Sequence, residues 1–267
     1  MRFIEGTMGS VKAIPGLLAS VRAHSKLRPR QADGSRHDAD MKRFRDRVDA
    51  GRRLAERLGA YAGRRDVVVL ALPRGGVPVA AEVAHRLGAP LDVLVVRKLG
   101  LPGHEEYAMG AIARGGVQVL DEEVVRRHGL SPADVAAVVR RETAELHRRE
   151  TLYRGDRPFP DLRGRVVVLV DDGIATGATM RAALAVVAKA GASKIVVAAP
   201  TVAADVAADL ARGADEFAAV VTPTEFRSVG EWYEDFRQTA DDDVRRILAA
   251  SGTTAARRDA SGPTRPR

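Results

Sequence analysis

A chain of 267 residues with 45% apolar and only 4% aromatic residues can hold one α/β domain with decorations. Its core must be mostly Val, Ala and Leu, a composition that favours a parallel sheet covered by helices. Cysteine is absent, which rules out disulfides, thiolate catalysis and Cys-ligated zinc, and the excess behind the net charge of +8 sits mainly in residues 1–40 and 251–267, as expected of basic ends that aid solubility rather than of a nucleic-acid surface.

No apolar run approaches the ~20 residues that span a membrane, and the first residues lack a signal-peptide pattern. A cytoplasmic protein is expected, with no membrane partner. Residues 1–40, rich in Gly, Ser, Arg and Ala, show no periodicity and read as a disordered extension. Residues 251–267 read as a disordered basic tail. The region 41–250 between them reads as the folded domain.

Within it, apolar residues from Phe44 to Leu58 recur at helical spacing. Asp66 to Leu72 is a β-branched strand, closed by the breaker cluster Pro73-Arg74-Gly75-Gly76 and followed by a helix from Val77 to Leu87. A second strand spans Leu91 to Val96. Residues 98–116 read as a long loop or β-arm, and Val117 to Leu120 as a short strand. Ser131-Pro132 opens a long charged helix, with Ser as N-cap and Pro in the first turn. It runs to about Tyr153. The strand Arg165 to Val170, a helix to Ala190, the strand Lys194 to Ala199, the helix Ala203 to Ala211 and the strand Glu216 to Thr222 complete the alternation. Strands separated by helices predict parallel, right-handed βαβ units.

The segment Val166 to Met180 (VVVLVDDGIATGATM) carries the chemistry. Five apolar residues make a buried central strand that ends in two adjacent carboxylates, Asp171 and Asp172. The loop Gly173-Ile174-Ala175-Thr176-Gly177-Ala178-Thr179 then turns into a helix. Ligands bind at the carboxyl ends of such strands, and a helix N-terminus with free N–H groups attracts phosphate. Gly173 and Gly177 allow close backbone approach; Thr176 and Thr179 add hydroxyl donors. Carboxylates repel phosphate but accept from a ribose diol or bind a divalent cation. The combination describes a ribose 5-phosphate site. A plain strand–turn–helix junction with an Asp N-cap accounts poorly for two Asp, two Thr and two Gly together. Neither GxxxxGK[ST] nor GxGxxG is present in this segment.

These residues resemble the 5-phosphoribosyl-1-pyrophosphate (PRPP) signature of the type I phosphoribosyltransferases, and the resemblance extends over Phe44 to Leu248. It implies a Rossmann-like parallel sheet flanked by helices with a small hood, here near Pro223 to Leu248. Residues 121–160 are an inserted charged helical segment. It implies transfer of the phosphoribosyl group from PRPP to a nitrogenous base, with Mg²⁺ as cofactor and a homodimeric assembly. By the same resemblance, Gly173, Ala175, Thr176, Gly177, Ala178 and Thr179 bind the 5-phosphate. Pro73, Arg74, Gly75 and Gly76 bind pyrophosphate, in a turn that often contains a non-proline cis peptide, and Arg97 and Lys98, at the end of the second strand, are cations for the same group. Asp171, Asp172, Lys98 and Arg74 are the catalytic set, and the two Asp residues meet the metal through PRPP and water. Gly and Pro in 98–110 suit a mobile catalytic loop; His104, Glu105 and Glu106 suit a solvated loop tip equally well. Ile174, Trp232 and Tyr233 are candidates for the base site, although the aromatic cluster also fits a plug closing the sheet edge. The arrangement is nearest to bacterial phosphoribosyltransferase-domain proteins whose base is unassigned. The alternative is a non-catalytic PRPP or nucleotide sensor, associated with nucleic acid through its basic ends.

Overall fold

The computed structural model describes residues 43–113 and 117–259; the expected extension at 1–40 lies outside them. Five strands form one parallel sheet: β1 (Val67–Ala71), β2 (Leu91–Val93), β6 (Val166–Val170), β7 (Lys194–Thr201) and β8 (Glu216–Val221), in the order β2-β1-β6-β7-β8. Every pairing is parallel, and β1 and β6 lie in register from Val67 opposite Val166 to Ala71 opposite Val170. β1 and β6 are buried along their whole length, as the unbroken apolar runs require when both sheet faces are covered.

Strand alternation divides the core in two. Val67, Val69, Ala71, Val166, Val168 and Val170 face one side, packed with residues of α1 (Arg47–Arg57), α2 (Gly76–Leu87), α4 (Pro132–Arg154) and α7 (Asp241–Asp259). Val68, Leu70, Val167 and Leu169 face the other, against α5 (Ala178–Lys189) and α6 (Ala204–Gly213). Successive side chains of a strand point to opposite faces, so one run of valines builds both layers.

The expected second strand divides. β2 ends at Val93, and at Val96 the chain enters a separate antiparallel sheet of β3 (Val96–Leu101), β4 (His104–Ala113) and β5 (Val117–Leu120). The segment 98–110 is therefore mainly hairpin rather than open loop. Leu99 and Met109 are fully buried in it, and β3 and β4 contact α4 and α5. The turn at Pro102-Gly103 and the flanking His104 and Glu105 are exposed. Burying apolar side chains on one face of the hairpin fixes its body and leaves the tip in solvent.

The inserted segment is α3 (Glu122–Arg127) followed by α4, whose Ser131 forms a capping box with Asp134 behind Pro132. Glu142 of α4 is buried and paired with Arg97 of β3. At the far end of α4, buried Arg154 meets Asp92 of β2 at 3.1 Å. The insertion is thus fastened to both sheets by ion pairs. α7 extends to Asp259, so residues 251–259, read from composition as tail, are helical.

Candidate functional site

The C-terminal ends of β1 and β6 carry the site. After β1 the chain makes the turn Pro73-Arg74-Gly75-Gly76 into α2, and the Pro73–Arg74 peptide is cis. The turn is held by Leu72 N–H donating to the Val170 carbonyl at 2.8 Å and Val77 N–H donating to the Arg74 carbonyl at 3.1 Å. It lies directly on the acidic pair. A Cβ at Gly75 would overlap Asp172 Oδ2, and one at Gly76 would stand 2.8 Å from the Val170 carbonyl oxygen and 3.0 Å from Asp171 Cα. Only glycine permits this approach of two backbones.

Asp171 and Asp172 follow β6. The Asp172 N–H donates to Asp171 Oδ1 at 2.9 Å. Burial, reinforced by the neighbouring Asp172 charge, holds the Asp171 carboxyl well above the ordinary carboxylate range. Burial also raises Asp172, against the opposing pull of Arg47. Arg47 Nε donates to Asp172 Oδ2 at 2.8 Å, with both side chains largely withdrawn from solvent.

The loop after the acids is pinned to β7: Ile174 N–H donates to the Thr201 carbonyl at 2.9 Å and Ala203 N–H donates to the Ile174 carbonyl at 3.0 Å. Gly177, at φ +71°, turns the chain into α5 and makes no side-chain cap. The first N–H groups of α5 are therefore not taken by a capping side chain, and Ala175, Thr176, Ala178 and Thr179 around them are exposed. This is the geometry of an anion cradle. Arg181 braces it from below, donating to the Thr176 carbonyl and pairing with Asp209 of α6.

The hood packs on the acids. A short 3-10 turn, Val229–Trp232, leads into Tyr233, whose hydroxyl donates to the Asp172 carbonyl oxygen. Tyr233 is buried, with its ring centroid 5.4 Å from Phe44 and 5.0 Å from Phe236. Phe44 N–H donates to the Trp232 carbonyl at 2.8 Å, and Val229 lies where a Gly173 side chain would be. Tyr233 thus braces Asp172 through its hydroxyl, with its ring beside Phe44 and Phe236. Removing its hydroxyl in Tyr233→Phe leaves that carbonyl without its donor and is expected to cost about 1–3 kcal/mol of unfolding free energy, read by chemical denaturation.

The candidate pyrophosphate residues lie on two elements, Pro73 to Gly76 in the turn after β1 and Arg97 and Lys98 in β3. Arg74 faces the acidic end of α7, with Nη1 3.7 Å from Asp241 Oδ1, an atom that also accepts from the Tyr153 hydroxyl of α4. Arg97 is held by Glu142. Lys98, one position along β3, is exposed. Ile174 is buried beneath the loop. The Trp232 indole Nε1 is buried without a hydrogen-bond partner among the described residues. Arg47, Glu142 and Asp241 escape sequence reading: each is one charge in a charged helix, and no local pattern distinguishes it from solvated neighbours.

A family model described as "Phosphoribosyl transferase domain" matches residues 40–216. The chain belongs to the phosphoribosyl transferase domain family. Two Mycobacterium tuberculosis proteins, from strains CDC 1551 and H37Rv, carry phosphoribosyl transferase in their names; each is 53% identical over 208 residues, covering 78% of this chain and 47% of the relative. The chain therefore spans about half the length of these relatives. The crystal structure of TT1426 from Thermus thermophilus is 45% identical and superposes with a TM-score of 0.71, covering 78% of this chain and 98% of that one. The parallel sheet and its flanking helices are the architecture expected of a phosphoribosyl transferase domain. No helix among the described residues is long and apolar enough to cross a membrane.

Proposed function

We propose that this phosphoribosyl transferase domain moves the 5-phosphoribosyl group from PRPP to a nitrogenous base and releases pyrophosphate. The observation that carries the reading is the contact between the Gly75-Gly76 turn and the acidic pair. It sets a turn suited to pyrophosphate beside carboxylates suited to a ribose diol, with the α5 cradle on the same loop. One PRPP molecule presents those three groups in that order.

In this reading the α5 N-terminus and the hydroxyls of Thr176 and Thr179 bind the 5-phosphate. Asp171 and Asp172 accept from the ribose hydroxyls and lie near the positive charge that develops on the sugar. Arg74 and Lys98 stabilise the departing pyrophosphate. The lone pair of the acceptor nitrogen forms the bond to C1 as the C1–O bond breaks. Pyrophosphate leaves with that bonding pair, and any proton on the acceptor nitrogen passes to solvent.

Among the described residues no group of three or more His, Asp or Glu could hold a metal ion. The two adjacent carboxylates fit Mg²⁺ that takes most of its ligands from PRPP oxygens and water. Such an ion would supply charge neutralisation on the pyrophosphate. A homodimer is the proposed assembly.

The test is a panel of free bases incubated with PRPP and Mg²⁺ and read by pyrophosphate release. Release with one base and not without it is expected. Tight PRPP binding with no release for any base would leave a PRPP sensor; no PRPP binding would overturn the reading.

A further inference from the structure

The acidic start of α7 lies against the turn that follows β1. α7 opens with three consecutive carboxylates, Asp241, Asp242 and Asp243, where the helix dipole favours negative charge. The helix is seated by Val244 and Leu248, both fully buried, and packs on α2 and α4. Its three acids have different partners. Asp243 accepts from the Ala240 N–H at 3.0 Å and from Arg246. Asp242 is exposed and pairs with Arg245. Asp241 alone meets the candidate site: its Oδ1 accepts from the Tyr153 hydroxyl at 2.6 Å and stands 3.7 Å from Arg74 Nη1. Tyr153 is buried near the end of α4. Burial, with its bond to Asp241, pushes its hydroxyl up to about 12, so it remains a donor at neutral pH.

Asp241 is thus an anion held in place from two elements. The Arg74 side chain is not held in the same way. It is 36% exposed, and 3.7 Å is too long for a hydrogen bond. A partly exposed pair of that length is weak, so the guanidinium is the part that can move. Pyrophosphate at the turn carries more charge than one carboxylate and suits the planar fork of an arginine. It takes Arg74 in competition with Asp241 and in the repulsive field of that carboxylate. We propose that Asp241 is a positioning residue that shares Arg74 with the pyrophosphate group and loosens the hold on it, and that Tyr153 limits the effect by engaging the same carboxylate oxygen. The inference rests on the phosphoribosyl-transfer reading, which puts Arg74 on pyrophosphate, and adds to it a residue that favours release of the product.

The experiment is calorimetric titration of the full chain with PRPP and with pyrophosphate, each with Mg²⁺, in the parent and four variants. Asp241→Asn keeps the side-chain shape and removes the charge, and is expected to bind the probes roughly three- to tenfold tighter, the effect of one nearby charge in a partly hydrated site. Asp242→Asn removes an equal charge from the same helical turn but away from Arg74, and leaves affinity nearly unchanged. Tyr153→Phe leaves the Asp241 carboxylate wholly to Arg74 and weakens binding. In Arg74→Gln the gain from Asp241→Asn shrinks, because the two residues act through one contact. Opposite signs for Asp241→Asn and Tyr153→Phe are the decisive result, since a role in folding alone would weaken binding in both. Asp241→Ser takes the place of Asp241→Asn if melting shows that variant unfolded. If the parent binds either probe, an Asp241 variant that binds it no tighter overturns the inference alone. So does an equal gain in Asp242→Asn. A parent that binds neither probe overturns the functional reading and this inference with it.

Discussion

The double variant Asp171→Asn/Asp172→Asn is expected to lower kcat/KM for pyrophosphate release by roughly a thousandfold or more, because in the proposed reaction it removes both carboxylates that would meet the ribose and its developing positive charge. Asparagine keeps the shape and accepting oxygen but adds an N–H pair where the ribose hydroxyls would donate. The single variant Asp171→Asn separates function from stability. Burial and the Asp172 charge raise the Asp171 carboxyl well above its ordinary range, so the folded state carries an ionisation cost at neutral pH. A raised carboxyl costs stability in full above its folded pKa; the cost is relieved as pH falls through that value. Asp171→Asn should therefore be more thermostable than the parent at pH 7–8, with the gain shrinking toward acid pH, while PRPP binding weakens. A melting series across pH with calorimetric PRPP titrations reads both. A parent more stable than Asp171→Asn at pH 8 would show that the acid is not under strain.

Gly76→Ala is expected to lose PRPP binding and to destabilise the fold by about 1–3 kcal/mol, the usual cost of forcing a methyl group into a packed site. The two nearest neighbours of the new Cβ are backbone atoms, the Val170 carbonyl oxygen at 2.8 Å and Asp171 Cα at 3.0 Å, with Asp171 Oδ1 next at 3.2 Å. Neither can swing aside as a side-chain end can, so β1 and β6 must separate at the point where they carry the turn and the acids. Gly59→Ala is the control, since a Cβ there meets nothing within 4 Å. Denaturation midpoints of the two variants, with PRPP affinities, check the prediction. Equal behaviour would mean that the close approach at Gly76 is not required.

The relation between sequence and structure is clearest at particular residues. The valine runs of β1 and β6 determine a central parallel sheet by themselves, because a strand buried on both faces has no room for polar alternation. The segment from Asp171 to Thr179 is equally local: strand end, acids, glycine turn and helix start are contiguous, so the phosphate cradle and its acids can be read without knowing the fold. Pro73 to Gly76 is readable as a turn. That its two glycines serve the acids about a hundred residues onward is decided by the β1–β6 pairing.

Charged residues lose their meaning in sequence because their partners are distant. Arg97 and Lys98 are adjacent and chemically alike, yet the strand alternation of β3 sends Arg97 to buried Glu142 of α4 and leaves Lys98 exposed. Tyr233 reads as a stacking face or as part of a plug, and only the fold places its hydroxyl on the Asp172 carbonyl. Arg47, in a helix rich in arginine, differs from Arg52 or Arg53 only through the 125-residue separation that its bond to Asp172 closes. Sequence by itself determined the loop on which the proposed donor site rests, because its strand end, acids, glycine turn and helix start are contiguous. The pairing of Arg47 with Asp172 was decided by tertiary structure alone, because α1 and the hood meet over Asp172 only when the sheet brings them there.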